Sequence, residues 1–194
     1  RHGDAATFHA DEHRGRYLLY QKVYANHRMI PRRTFIGLES RDGFHWEGYD
    51  GYRQWRECFM ADDYDDLIAA QRGFQVGEYY GICLHQVGGL YLAISSFFTV
   101  GLPLQTRAGQ NPNGRCLFRL AFSHDGMHFR HPAGRPAFLE LGQPGDFDAG
   151  FATSMSNLVE HGDDQLFYYS GGRYAHGWCI NPNFSMRRDI ALED

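Results

Sequence analysis

Carboxylate side chains recur in this chain at a nearly constant spacing, each beside an apolar stretch. Asp4 stands in "HGDAATF", Glu78 follows 74 residues later in "GEYYGI", and Asp148 follows 70 residues after that in "GDFDAGF", close to Asp146. Carboxyl groups that share a crowded pocket acquire different pKa values, so one can be protonated while another is ionised. General acid–base catalysis by two carboxyl groups uses that pairing.

These carboxylates also have a simpler interpretation. Aspartates commonly cap turns through their side-chain oxygens, which would account for Asp4 and Asp148. Glu78 could equally be a surface residue that follows a loop. The spacing favours a shared site, and the sequence alone leaves both interpretations open.

Three segments that could position such residues share one pattern. Each has an apolar strand-like stretch, a polar or glycine turn, and a second strand rich in Tyr, Leu and Phe, which is typical of a β-hairpin. The segments are "TFHADEHRGRYLLYQKVY", "GICLHQVGGLYLAISSFF" and "SNLVEHGDDQLFYYSGGR". Tyr17, Tyr91 and Phe167 occupy equivalent places in them, 74 and 76 residues apart. The carboxylates therefore follow the period of a repeated structural unit.

A shorter motif, which we call the Ser-x-Asp-Gly device, occurs twice, in "IGLESRDGFHW" and "LAFSHDGMHF". In both, a strand ends in Ser-x-Asp-Gly, then comes His and an aromatic residue. Asp42-Gly43 and Asp125-Gly126 fit tight turns that join the outer strands of a unit. We expect Trp46 and Phe129 to begin the next strand and to pack between units.

About four strands in a repeat of this length predict β-propeller blades, and hence an all-β fold. The approximate units are 4–60, 76–135 and 148–194, so about three blades are expected, whereas closed propellers have about 4–8. The chain is therefore predicted to be part of a propeller. Apart from "DDYDDLIAAQRGF", no segment has convincing helical periodicity, and that segment is predicted to be a loop with one turn, its "DDYDD" part a solvated acidic loop.

Composition limits the partners. The net charge is −4, which gives no electrostatic reason to expect nucleic acid or an anionic membrane surface. The longest apolar run, "GGLYLAISSFFTVGLPL", contains Ser-Ser, Gly and Pro and is short for a membrane span. No signal peptide is visible and the sequence starts without Met, so the compartment stays open, with an extracellular or periplasmic location as a working expectation.

No metal site is expected. The cysteines are scattered without a C-x-x-C pair and are interpreted as ordinary buried thiols. They are Cys58, Cys83, Cys116 and Cys179. His124, His128 and His131 lie across a turn without accompanying carboxylates and are interpreted as a solvated loop, and "DDYDD" lacks the spacing and the glycine of an EF-hand.

Several phrases of the chain resemble the five-bladed propeller glycosidases, the superfamily that includes glycoside hydrolase families 32, 43 and 68. They are "GDAATFHADEHRGRYLLY", "RRTFIGLESRDGFHW", "GEYYGICLHQVGGLYLAI", "RLAFSHDGMHFRHP" and "GDFDAGFATSMSNLVEHGDDQLFYYSGGRYAHG". The resemblance implies a five-bladed β-propeller seen here without its first blade. The Ser-x-Asp-Gly device differs from the sialidase Asp-box, which has one more residue between Asp and Gly.

The resemblance also implies roles for the carboxylates. Glu78 corresponds to the third-blade acid, and Asp4 to the second-blade Asp that stabilises the transition state. The first-blade Asp has no counterpart in this sequence. Asp148 is then expected to bind sugar hydroxyls, and Tyr80, His176 and His2 to line the pocket, with Arg1 also near the axis.

The function expected from this resemblance is a glycoside hydrolase acting on a small-molecule or oligosaccharide substrate, with no cofactor. The alternative is a non-catalytic carbohydrate-binding or scaffold propeller, in which the same residues bind without turnover. A sialidase-like hydrolase would require an arginine cluster and a Tyr-Glu pair, for which Tyr79 or Tyr80 beside Glu78 is the only candidate. The identity of the sugar is not readable from the sequence, because specificity depends on loops.

Overall fold

The computed structural model describes residues 4–48, 56–101, 114–154 and 157–176, and all statements below concern these ranges. The first sheet contains β1 (Ala6–Asp11), β2 (Arg16–His27), β3 (Ile30–Ser40) and β4 (Glu47–Gly48) in that order, with β5 (Arg56–Phe59) also paired to β3. Helix α1 (Asp63–Gln71) follows. The second sheet contains β6 (Val76–Val87), β7 (Leu90–Val100), β8 (Gly114–Ser123) and β9 (Ala137–Leu139).

A third β region follows the second sheet. Strands β10 (Phe151–Thr153) and β13 (Ser170–Gly172) extend that sheet beyond β8, and β11 (Val159–His161) pairs with β12 (Asp164–Leu166). All three expected hairpins are present, as β1–β2, β6–β7 and β11–β12. The all-β class is confirmed.

The two large sheets pack face to face because one set of alternating side chains in each is apolar. The main core contains Leu18, Tyr20 and Phe35 of the first sheet together with Phe97 and Leu117 of the second. The opposite face of the second sheet packs against the third β region through a separate core. Strand β7 is therefore buried on both faces, which explains its continuous apolar sequence.

The repeated Ser-x-Asp-Gly device forms the same turn twice. Ser40 Oγ accepts a hydrogen bond from Gly43 N at 2.9 Å, and Ser123 Oγ accepts one from Gly126 N at 3.0 Å. Both glycines have φ of 77°, which disfavours any side chain. The prediction that these residues build tight turns is confirmed.

The two turns differ in their surroundings. The second lies in the interface between the sheets, where Arg16 Nη2 donates to the carbonyl of Asp125 and Tyr20 OH donates to the carbonyl of Gly126, both at 2.6 Å. Phe129 packs against the rings of Tyr20 and Phe59, so it lies between the sheets as expected. The ring contact described for Trp46 is instead with Phe8 of its own sheet.

The segment predicted to be a solvated acidic loop is a helix that docks on both sheets, so that prediction is wrong. Asp62 caps it by accepting from the backbone N–H groups of Tyr64 and Asp65, and the side chain of Asp65 accepts from Asp62 N in turn. This capping box starts the helix without strong hydrophobic periodicity.

Two acidic side chains of α1 are bound by arginines from the sheets. Asp66 accepts two hydrogen bonds from Arg32 of β3, at 2.6 and 2.8 Å. Asp65, fully buried, pairs with Arg119 of β8 at 3.1 Å and with Arg135 at 2.8 Å. We call these five residues the helix-docking cluster. It ties the helix to both sheets.

Candidate functional site

Four of the predicted site residues meet where the first strands of the two sheets begin. Strands β1 and β6 are neighbours, joined by a hydrogen bond from Thr7 Oγ1 to the carbonyl of Ile82 at 2.5 Å. Asp4 precedes β1 and Glu78 is the third residue of β6, so both carboxylates lie at strand heads. We define the strand-head cluster as Asp4, Lys22, Arg33, Glu78, Tyr80 and His176.

Glu78 is a buried carboxylate held by one arginine. Arg33 Nη1 donates to Glu78 Oε2 at 2.6 Å, and the two side chains are 4% and 5% exposed. Burial raises the pKa of Glu78 above its ordinary value, although the positive charge of Arg33 opposes the shift. A raised pKa favours the protonated form, which a general acid needs.

Asp4 has the opposite environment. Its side chain is 79% exposed, and Lys22 Nζ lies 2.6 Å from its Oδ1. The hydrogen bond from Lys22 lowers the pKa of Asp4, whereas burial lowers the pKa of Lys22 against the effect of Asp4. A backbone hydrogen bond holds Lys22 beside Asp4, because Lys22 N donates to the carbonyl of the next residue, Ala5, at 2.9 Å. The cluster thus joins one carboxylate with a raised pKa to one with a lowered pKa.

The ring of Tyr80 contacts both cations of the cluster. Lys22 Nζ is 4.0 Å and Arg33 Cζ is 5.3 Å from its centroid, within the range of cation–π attraction. The hydroxyl of Tyr80 is 3.1 Å from His176 Nε2, and Phe98 and Phe151 contact the ring edgewise. Because these neighbours surround the ring, Tyr80 positions Lys22 and Arg33 and is not a free stacking surface.

The exposed aromatic residue beside the cluster is Tyr24. Its side chain is 58% exposed, and its ring centroid is 5.6 Å from Arg33 Cζ. Tyr24 and Arg33 face each other across β2 and β3, so they lie on the same face of the sheet. An apolar sugar face could stack on this ring while its hydroxyls reach the cluster.

Asp148 is the remaining predicted site residue that the structure describes, and it lies outside the strand-head cluster. Asp148 lies three residues before Phe151, the first residue of β10. It is buried and accepts a hydrogen bond from Tyr169 OH at 2.8 Å. Within the described residues, Asp148 makes no hydrogen bond with Asp4 or Glu78. His2 lies outside the described residues, as do Arg1 and Cys179.

Sequence reasoning missed the two cations, Lys22 and Arg33. A signal for Lys22 was present, since it continues the inward-facing alternation of Leu18 and Tyr20 along β2, where an apolar residue is expected. It is also the only lysine in a chain with 18 arginines. Arg33 had a weaker signal, because it follows another arginine in a strand.

The other clusters of titratable residues are structural. His131 is not in a solvated loop as predicted, because Tyr79 stacks on it and shares a hydrogen bond of 3.0 Å with its Nε2. The thiols of Cys58, Cys83 and Cys116 are free, and burial raises the pKa of each, that of Cys83 to about 12. The interpretation as buried thiols is confirmed for Cys83 and Cys116, whereas Cys58 is partly buried. Across the described ranges, no His, Cys, Asp and Glu side chains group in a way that could hold a metal ion. In the same ranges, no helix has both the length and the apolar character needed to cross a bilayer.

No protein-family model and no curated protein sequence matches the chain. Solved structures with a similar fold include an N-acetylgalactosamine deacetylase from F. plautii in complex with blood group B trisaccharide (TM-score 0.52, 19% identity), a glycoside hydrolase (0.51, 13%) and a BT0996 RGII complex (0.51, 14%). These matches cover 82%, 81% and 81% of this chain but 36%, 38% and 38% of theirs. The chain therefore spans less than two fifths of each of these proteins, and at these identities the likeness is one of fold.

Proposed function

We propose that this chain belongs to a carbohydrate-active protein, with the strand-head cluster as its saccharide site, and that the protein is a glycoside hydrolase in which Glu78 is the acid. The observation that carries the proposal is the contrast between Glu78 and Asp4. Burial raises the pKa of one and Lys22 lowers the pKa of the other, at the heads of neighbouring strands.

The likeness in fold adds support. Two of the similar structures are named for glycan chemistry, a deacetylase bound to a trisaccharide and a glycoside hydrolase. Glycosidases use one protonated and one ionised carboxyl group around an oxocarbenium-like transition state. Glu78 would protonate the leaving oxygen, while Asp4, kept ionised by Lys22, would stabilise positive charge on the sugar. Asp148, Tyr80, His176 and His2 remain proposed substrate-binding residues.

We also propose that the two sheets and the third β region are consecutive blades of a five-bladed propeller, with approximate units 4–60, 76–135 and 148–194. The two large sheets each place a long hairpin first and a Ser-x-Asp-Gly turn after the third strand. An experimental structure of the longest natural form of the protein tests this. Five sheets around one axis are expected, and a two-sheet sandwich would contradict the proposal.

One observation favours a second function, saccharide binding without turnover. Glu78 is only 5% exposed at its side chain and is already paired with Arg33, so a substrate would have to displace or approach that pair to receive its proton. In a binding protein, the same pair would only orient hydroxyl groups.

The test is a comparison of the unaltered protein with Glu78→Gln on a panel of oligosaccharides, following both reducing-end release and binding. The hydrolase proposal expects turnover that falls by roughly 100-fold or more in Glu78→Gln, the range of general acid catalysis, while binding survives. Glu140→Gln, which neutralises an exposed carboxylate that pairs with Arg72 outside the strand-head cluster, is the control and should retain turnover. Binding without turnover in both proteins would support the second function, and turnover unaffected by Glu78→Gln would remove Glu78 from the acid role.

A further inference from the structure

We propose that the strand-head cluster takes an acidic saccharide, whose carboxylate lies against Lys22. This inference rests on the proposed saccharide site and assigns its substrate class. Lys22 would be the residue that determines specificity, because its ammonium group is the cation of the cluster that pairs with the exposed carboxylate, Asp4.

The burial of Lys22 is the first argument. Its side chain is 3% exposed, whereas lysine side chains almost never bury fully unless they are paired. It is the only lysine of the chain, while the buried cations that bind Asp65, Asp66 and Glu78 are all arginines. An ammonium group is a compact charge with three donors that turn freely, whereas a guanidinium group fits one planar partner. An ammonium group at this one position can therefore pair with Asp4 in the free protein and with a ligand carboxylate in the complex.

The counter-ion of Lys22 is the second argument. Asp4 is 79% exposed and lies outside any strand, so water competes for its carboxylate. Among the described residues, Asp4 supplies the only carboxylate oxygen within ion-pair distance of Lys22 Nζ. One face of the ammonium group is covered by Tyr80, and three N–H donors remain for a single exposed carboxylate. A second carboxylate can bind there without uncovering a buried partner.

The balance of charge is the third argument. The cluster has two buried cations, Lys22 and Arg33, and one buried carboxylate, Glu78. The two cations share the ring of Tyr80, and Arg33 lowers the affinity of Lys22 for its proton by repulsion. An anion beside Lys22 relieves this repulsion, whereas a neutral hydroxyl group does not. The exposed ring of Tyr24 next to Arg33 supplies the apolar contact that distinguishes a sugar from a small anion.

A single lysine allows a direct experiment on the chain as it stands. Growth on ¹³C-lysine gives one Cε–Hε NMR signal, which reports both binding and the pKa of Lys22. The probes are digalacturonic acid and galactobiose, which differ in their carboxyl groups, and citrate as an anion without a sugar ring. Titrations are run at low salt, because charge pairing is screened as ionic strength rises.

We expect digalacturonic acid to shift the Lys22 signal, to raise the pKa of Lys22, and to bind about tenfold or more tightly than galactobiose, the preference that one charge-assisted hydrogen bond supplies. Lys22→Met should reduce this preference to about twofold or less, and Lys22→Arg should retain most of it because the charge remains, with both variants assayed by calorimetry. Asp4→Asn should strengthen binding of digalacturonic acid alone, since it removes the competing carboxylate.

Other outcomes overturn the inference in distinguishable ways. If galactobiose binds as tightly as digalacturonic acid, the acidic class is wrong while the saccharide site stands. If citrate binds as tightly as digalacturonic acid, the cluster recognises anions and not saccharides. If none of the three probes perturbs the Lys22 signal, both the acidic class and the proposed saccharide site are wrong.

Discussion

The helix-docking cluster and the strand-head cluster both pair carboxylates with cations, but they differ in how far the carboxylates are buried. In the first, Asp65 is fully buried and is bound by two arginines and by the hydroxyl of Tyr79. In the second, Glu78 has one arginine, and Asp4 lies exposed beside Lys22. One cluster is closed by protein partners, and the other ends at solvent.

This difference separates stability from binding. Taking charges out of water is costly, so a buried ion pair stabilises a fold only when the remaining donors and acceptors are also satisfied. In the helix-docking cluster both carboxylates are bound by arginines. Two atoms of the same cluster, Arg32 Nε and Arg119 Nε, are the only buried side-chain polar atoms without a partner in the described residues. The strand-head cluster differs because one of its carboxylates, Asp4, is 79% exposed, and under the proposal above this leaves Lys22 open to a ligand.

The largest effect is expected from Asp65→Ala. This change leaves Arg119 and Arg135 without their shared buried carboxylate, and removing one partner of a buried pair costs about 3–5 kcal/mol. We expect a corresponding fall in the free energy of unfolding, measured by urea denaturation. Asp63→Ala on the same helix is the control, since Asp63 is 55% exposed and surface pairs contribute about 0–1 kcal/mol.

Equal midpoints for the Asp65 and Asp63 variants would show that the helix is held by apolar contacts alone. In that case the ion pairs of Asp65 would not stabilise the fold, and the comparison between the buried Asp65 and the exposed Asp4 would say nothing about stability. Asp65→Asn, which keeps the shape of the side chain, shows whether the loss of charge alone is sufficient.

Much of this architecture was predictable from the sequence. The hairpins and the two Ser-x-Asp-Gly turns follow from alternation and from turn residues, which are local signals. The positions of Asp4 and Glu78 at strand heads followed from the repeat period. Local signals suffice where the structure is set by neighbours in sequence.

The partners of those residues could not be predicted in the same way. Arg33 and Glu78 are 45 residues apart, and helix α1 reaches Arg119 across 54 residues, so their pairing depends on how the sheets pack. The acidic segment of α1 was misinterpreted because its aspartates serve as caps and ion-pair partners, which hydrophobic periodicity does not detect. Its capping box, Asp62 to Asp65, was the local signal that could have identified the helix.

A smaller effect is expected from Glu78→Gln at neutral pH. Ionised Glu78 is already costly to bury, so its replacement by an uncharged side chain that still accepts from Arg33 should change the free energy of unfolding by about 1–2 kcal/mol, less than Asp65→Asn. The difference should also depend on pH. Because the pKa of Glu78 is higher in the folded than in the unfolded chain, the folded chain binds more protons between these two values, and the unaltered protein gains stability relative to the variant as pH falls through them.

Urea denaturation of both proteins at several pH values between about 7.5 and 4.5 measures this dependence. The advantage of the unaltered protein should grow as the pH falls. A difference that is constant across this range would mean that Arg33 cancels the effect of burial, and Glu78 would then be no better suited to act as an acid than an exposed glutamate.

The smallest effect is expected from Tyr80→Phe. This change removes the hydroxyl that meets His176 and keeps the ring beneath Lys22. Loss of one hydrogen bond costs about 1 kcal/mol, so stability should change little, and the ring-current shift of the Lys22 Cε signal should persist. Tyr80→Leu, which removes the aromatic ring, should abolish that shift and weaken binding of digalacturonic acid by about 3- to 30-fold, the range of a cation–π contact. If Phe weakens binding as much as Leu does, the hydroxyl and His176 hold the site together, and the open cluster is organised by hydrogen bonds as the closed one is.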